Sequence, residues 1–267
     1  MKPSVLIASG CSWVAGRAID TDPTSTSFDF NYTEDPKFVE QHSFAGIIQR
    51  HLGLDQLLFL ATHGSSNEEQ LENLINYIDN NLNHYSKVFV LWGITSIYRW
   101  QMFSGITNSV QTCSVGRVPD NVELKKEIEY YFSHFWNKET ELKKLGKQVV
   151  MLDGYLTNLN VDHLFFNSFQ SYNVKDLQIN NISDQNFYCV KNENNDMLSV
   201  LCQHNKIKIS KSPWLNVSRS RDSQFNTTSV KELQNIGYLD VATAHPTVKA
   251  HKLIANKLVE YIKENIK

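Results

Sequence analysis

Near its start the chain carries the sequence SVLIASGCS, at residues 4–12. Small and apolar residues run without interruption over residues 4–8, and glycine follows at position 10. A short continuous apolar run ended by glycine is typical of a strand that is buried on both faces. Such strands belong to parallel sheets covered by helices, so this stretch predicts an α/β fold.

The rest of the first half alternates strand patterns with helix patterns. Apolar runs predict further strands at residues 57–61, 88–92 and 149–152. Helical spacing of apolar residues predicts three helices. The first runs from Phe44 to a closing Gly53, and the second follows a capping box that begins at Ser66. The third is long and covers residues 122–145, with Gly146 ending it. The alternation predicts a parallel sheet sandwiched by helices.

The pattern changes over residues 158–235, which are polar and rich in Asn and Ser. A structureless loop of that length is uncommon in a compact domain, so this stretch is predicted to be a partly ordered insertion. The last helix is predicted to begin at His245-Pro246, because proline suits a first helical turn. Residues 1–267 are predicted to form one domain.

The composition argues against several classes of protein. The 267 residues include 26 basic and 28 acidic side chains without a basic block, so binding to nucleic acid is not expected. No apolar run approaches the roughly 18–20 residues of a membrane span, and the first run is too short for a signal peptide. Four scattered cysteines fit neither a disulfide framework nor a zinc site. A cytoplasmic or virion-associated protein is expected.

Two residues at opposite ends of the chain suggest nucleophilic catalysis. Ser12 lies on a glycine-containing turn just after the first strand, at the sheet edge where α/β proteins bind ligands. His245 provides an imidazole, which is a suitable base for a serine hydroxyl near neutral pH. Each residue also has a plain structural explanation, as a turn serine and as a helix cap, so the pairing matters more than either alone. No dinucleotide, Walker A or HExxH motif is present, so neither a cofactor nor a metal is expected.

At this point the sequence resembles the SGNH (GDSL-like) hydrolases. Their first block is similar to Gly10-Cys11-Ser12, their second to residues 61–67 and their third to residues 92–96. Their fifth block, which brings the catalytic histidine, is similar to Ala244-His245-Pro246. The resemblance implies a three-layer flavodoxin-like fold, with Ser12 as nucleophile, His245 as base, and the N–H groups of Ser12 and Gly64 in an oxyanion hole.

The departures from the family pattern concern the oxyanion hole and the acid. Thr95 stands where the family places an oxyanion-hole asparagine, and Asn67 is a nearby substitute. The acid usually lies three residues before the histidine, where this chain has Ala242. Either Asp240 reaches the histidine through a bulged loop, or a backbone carbonyl orients the ring; we favour the carbonyl.

Three further residues border the predicted site. His63 is a candidate for substrate contact or a structural histidine. Arg99 and Trp100 are candidates for binding an anionic or sugar-like group, and are equally explained as a surface ion pair and a core aromatic.

The sequence therefore predicts a serine esterase that hydrolyses or transfers the acyl group of a small-molecule or glycan ester, with an acetylated sugar as one candidate. The alternative is a binding or structural protein on an inactive SGNH scaffold, because fold alone does not guarantee activity. The sequence makes no prediction of oligomeric state.

Overall fold

A computed structural model describes residues 2–24, 34–114, 121–179, 182, 185–209 and 228–266. Within these ranges there are six strands, numbered along the chain: β1 (Ser4–Gly10), β2 (Gln56–Phe59), β3 (Lys87–Ile94), β4 (Arg99–Ser104), β5 (Ser109–Ser114) and β6 (Asp162–Asn167). The main sheet has the order β2-β1-β3-β6, and all of its neighbouring strands are parallel. Because β4 and β5 form a separate hairpin, β6 is the fourth strand of this sheet. This is the flavodoxin-like order, and it confirms the predicted fold class.

The α-helices of the described residues are α1 (Pro36–His42), α2 (Phe44–His51), α3 (Asn67–Asn81), α4 (Val122–His134), α5 (Lys138–Asn158), α6 (Val174–Leu177), α7 (Met197–His204), α8 (Thr228–Asn235) and α9 (Val248–Asn265). Helix α2 packs on β1 and β2 and against α9, whereas α3 packs on β1 and against α5, which covers β6. The sheet therefore lies between two helical layers. None of the described helices is long and apolar enough to cross a membrane.

The predicted long helix over residues 122–145 and the predicted strand over residues 149–152 are both wrong. The chain forms α4, breaks after it, and restarts as α5, where the Asn137 side chain accepts the Thr140 N–H. Gly146 lies inside α5 and does not end it. The supposed strand is part of the same helix, because its buried members repeat at helical spacing: Leu145, Val149, Leu152 and Leu156.

The predicted insertion begins too early. Strand β6 lies inside residues 158–235 and pairs with β3 as the last strand of the main sheet. Helices α6, α7 and α8 follow β6, so the described part of residues 158–235 contains regular secondary structure. Residues 180–181, 183–184 and 210–227 of the predicted insertion lie outside the described residues.

The last helix also begins later than predicted. Thr247 is the N-cap of α9, so Pro246 lies in the preceding loop rather than in the first helical turn. His245 is therefore a loop residue, two positions before the N-cap. The orientation of its side chain depends on the loop that begins at Asp240, not on helical geometry.

A small unit on the side of the sheet follows β3 and was not predicted. The β4–β5 hairpin and α4 enclose a second apolar cluster formed by Trp100, Met102 and Cys113 with Tyr131, Phe132, Trp136 and Ile128. This unit begins at Arg99, directly after the loop that follows β3. Its position places it beside the carboxyl edge of the main sheet.

Candidate active site

The turn that carries Ser12 is seated on two facing glycines. Gly10 of β1 and Gly93 of β3 are partners in the sheet register. A Cβ atom on either glycine would lie 2.4 Å from the Val14 Cγ2 atom, so only glycine leaves room for this contact. The turn is closed by the Cys11 carbonyl, which accepts the N–H groups of Val14 and Ala15 at 2.9 and 3.0 Å. Close packing of the turn on the sheet thus determines where Ser12 lies.

The loop after β2 is held against the same strand end. The Thr62 N–H donates to the Gly10 carbonyl at 3.1 Å, and the Ser65 hydroxyl donates to it at 3.2 Å. The Gln70 amide in turn donates to the Ser65 hydroxyl at 2.9 Å. These bonds hold Gly64, whose φ of 80° lies in the left-handed region that favours glycine, within the loop beside the Ser12 turn.

Ser12 and His245 meet although they are 233 positions apart in the sequence. The distance from Ser12 Oγ to His245 Nε2 is 2.8 Å, which is an ordinary hydrogen bond. Ser12 is only 8% exposed, and the adjacent Cys11 is fully buried. The serine hydroxyl, not the cysteine thiol, is therefore the group that faces the imidazole.

The other ring nitrogen of His245 contacts a residue that sequence reasoning missed. Its Nδ1 lies 2.7 Å from the Thr243 hydroxyl, and that hydroxyl lies 2.5 Å from a carboxylate oxygen of Asp240. Asp240 also accepts the backbone N–H groups of Thr243 and His245, at 2.8 and 2.7 Å. Asp240 thus reaches the ring through Thr243. The favoured backbone carbonyl is wrong, since a hydroxyl occupies that position.

The surroundings of the half-buried His245 give it an unusual acid–base character. Loss of solvation, which penalises the charged imidazolium, is the main cause that lowers the pKa of His245 to about 3. The positive charges of Arg99 and Arg17 act in the same direction. The ring is consequently neutral at pH 7 and has a lone pair available for a proton.

Asn67, which was predicted as an oxyanion-hole donor, is hydrogen-bonded to the backbone of Thr95. Its Nδ2 donates to the Thr95 carbonyl at 3.1 Å, and its Oδ1 accepts the Thr95 N–H at 2.9 Å. Both ends of the amide are therefore used to fix the Thr95 backbone. The Thr95 hydroxyl accepts a hydrogen bond from Arg99 Nη1 at 3.1 Å, which leaves its own proton for another acceptor.

The three residues predicted to border the site differ in their surroundings. His63 keeps 47% of its side chain exposed and lies 3.9 Å from Glu34, which is paired with Arg17 at 3.1 Å. Arg99 lies 5.3 Å from the centre of the Phe169 ring. Trp100 is 1% exposed and stacks on Tyr131 and Phe132, so it is the core aromatic of the alternative explanation rather than a substrate contact.

A metal centre is not evident in the described part of the chain, where no three His, Cys, Asp or Glu side chains lie close enough to share an ion.

The chain matches no protein-family model and no curated protein. It is similar to the solved structure of a lipolytic protein of the G-D-S-L family from Veillonella parvula, at 13% identity over 96% of this chain and 97% of that chain, with a TM-score of 0.34. It is also similar to a mutant of an acetyl-xylooligosaccharide esterase from Geobacillus stearmophilus, at 11% identity over 98% and 96%, with a TM-score of 0.39. At these scores the likenesses carry no argument about the site.

Proposed function

We propose that the protein is a serine esterase in which Ser12 is the nucleophile and His245 the general base. The observation that carries the proposal is the 2.8 Å hydrogen bond between Ser12 Oγ and the Nε2 atom of His245. Serine is a weak nucleophile until a base takes its proton, and a neutral imidazole at hydrogen-bond distance is the usual activator. The lowered pKa of His245 keeps that imidazole neutral.

The reaction begins when Ser12 Oγ attacks the ester carbon and its proton passes to His245 Nε2. The carbonyl oxygen becomes an oxyanion, and we assign its binding to the backbone N–H groups of Ser12 and Gly64. The imidazolium then protonates the leaving alcohol, and an acyl group remains on Ser12. Water, deprotonated by His245, attacks this acyl-enzyme and restores the serine; an alcohol in place of water gives acyl transfer.

Thr95 is the third donor that we assign to the oxyanion hole. Its backbone is fixed by Asn67, and its hydroxyl oxygen already accepts a hydrogen bond from Arg99. The hydroxyl proton therefore points away from the guanidinium, and the adjacent positive charge makes it a stronger donor. Thr95 thus takes the role of the oxyanion-hole asparagine that the SGNH hydrolases have at this position.

The substrate that we propose is a carboxylic ester with a small acyl group, such as an acetyl group on a sugar. The 8% exposure of Ser12 favours a small acyl group over a long chain. Next to Ser12, the Trp13 and Phe169 rings pack at 5.6 Å, and Arg99 lies against Phe169. Both rings are buried in the core, so the group suited to the hydroxyl groups of a sugar is the Arg99 guanidinium.

The test combines a fluorophosphonate probe with p-nitrophenyl acetate hydrolysis. The wild type should be labelled on Ser12 and should hydrolyse the ester, and both Ser12→Ala and His245→Ala should lose these properties. Because the two residues act as a unit, the double variant should be little worse than either single one. Cys11→Ala is the matched control, since the neighbouring thiol is buried, and it should keep most of the activity.

Absence of labelling in a wild-type protein whose fold is intact by circular dichroism would contradict the proposal and favour the binding-protein alternative. Two independent losses that multiply in the double variant would show that Ser12 and His245 do not work together.

A further inference from the structure

Thr243 lies between the His245 ring and the Asp240 carboxylate, whereas in a Ser-His-Asp triad the carboxylate contacts the ring directly. We infer that Thr243 is a positioning residue through which Asp240 acts, so that the site is a four-member relay of Ser12, His245, Thr243 and Asp240. The inference rests on the proposed function for its catalytic meaning. Its structural content, the state of the His245 ring, stands independently of activity.

The direction of each hydrogen bond follows from the chemistry of the groups. A carboxylate has only acceptors, so the Thr243 hydroxyl must donate its proton to Asp240 across the 2.5 Å contact. The Thr243 oxygen can then act only as an acceptor toward His245, and the proton of the 2.7 Å contact must belong to Nδ1. With Nδ1 protonated, Nε2 of the neutral ring carries a lone pair, which accepts the Ser12 proton.

The loop is built to present these two side chains together. Asp240 accepts the backbone N–H groups of Thr243 and His245, and its own N–H donates to the His245 carbonyl at 2.9 Å. Between Thr243 and His245, Ala244 has a φ of 55°, in the left-handed region that non-glycine residues seldom adopt. The turn is thus closed on Asp240 from both sides, which brings a threonine two positions before the histidine into contact with its ring.

The relay separates two tasks that an acid beside the ring performs together. The relay still fixes the tautomer of the His245 ring, because its donors and acceptors allow only one arrangement of the protons. Stabilisation of the imidazolium is weaker, because a hydroxyl separates the carboxylate from the ring. Loss of the hydroxyl should therefore lower kcat and leave KM nearly unchanged, since no substrate contact is removed.

The experiment compares Thr243→Val with Thr243→Ser in the full-length protein. Thr243→Val keeps the shape but removes the hydroxyl, and kcat for p-nitrophenyl acetate should fall on the order of 100-fold or more. Thr243→Ser restores the hydroxyl and should keep kcat within about tenfold of the wild type. In nitrogen-15 NMR spectra at pH 7, His245 should carry its proton on Nδ1 in the wild type and Thr243→Ser, and lose that preference in Thr243→Val.

Thr247 offers a matched control in the same loop. Its hydroxyl donates to the Gly237 carbonyl at 2.8 Å and does not contact His245, so Thr247→Val should keep the Nδ1 proton and the wild-type kcat of the folded protein. A Thr243→Val protein that keeps both kcat and the Nδ1 proton would overturn the relay. If the wild type neither labels nor hydrolyses esters, the proposed function fails, and the tautomer in the same two variants still decides the relay.

Discussion

The pH dependence of Ser12 reactivity follows from the desolvation of His245. Desolvation and two neighbouring arginines lower the pKa of this histidine from 6.5 to about 3. An imidazole with the ordinary value is about 90% neutral at pH 7.5 but only about 3% neutral at pH 5, which gives a loss of about 30-fold in available base. With a pKa of about 3, the neutral fraction at pH 5 is still near 99%.

The assay is the rate of fluorophosphonate labelling between pH 3 and pH 8, with His245→Ala as the background. We expect the rate at pH 5 to be within about twofold of the rate at pH 7.5, with the fall at lower pH. Circular dichroism at each pH separates loss of base from loss of fold. This control matters because a histidine whose pKa is lowered by folding binds fewer protons than the unfolded chain, so stability declines as the pH falls below about 6.5.

A labelling rate that falls with a midpoint between pH 6 and pH 7, in a protein that stays folded, would refute the reasoning. It would mean that water reaches the His245 ring in solution and that the imidazolium is not penalised. The closed geometry around Ser12 would then be a poor guide to the state of the site.

Two further predictions concern the supports of the site. Gly93→Ala should lower the free energy of unfolding, measured by urea denaturation, by about 1–3 kcal/mol. The reason is that the added Cβ would lie 2.4 Å from Val14 Cγ2 and 2.7 Å from Phe166 Cζ. An unchanged urea midpoint would contradict the close packing of the Ser12 turn on the sheet. Asn67→Ala leaves the N–H and the carbonyl of Thr95 without their partner, so it should lower the free energy of unfolding by about 1–3 kcal/mol. It should also reduce kcat, because Thr95 is no longer held as the third donor of the oxyanion hole. A wild-type kcat in this variant would argue against Thr95 as a donor.

The sequence alone determined the elements whose signals are local. The apolar run of β1, the run of β3 and the N-terminus of α3 were all predictable, because burial on both faces and an N-cap serine leave a direct trace in adjacent residues. The same local reasoning failed at residues 149–152, where an apolar run of four is compatible with a strand or with one face of a helix. Only packing against the sheet distinguishes these two structures.

The candidate site was predictable in part for a similar reason. Ser12 and His245 were found because each sits in a short recognisable block, and their contact across 233 residues was an expectation that tertiary structure had to test. Thr243 left no signal, because a threonine two residues before a histidine is unremarkable in a sequence. Its role depends on the left-handed Ala244 and on a carboxylate that closes the loop, and both follow from the way the folded chain satisfies its buried polar groups.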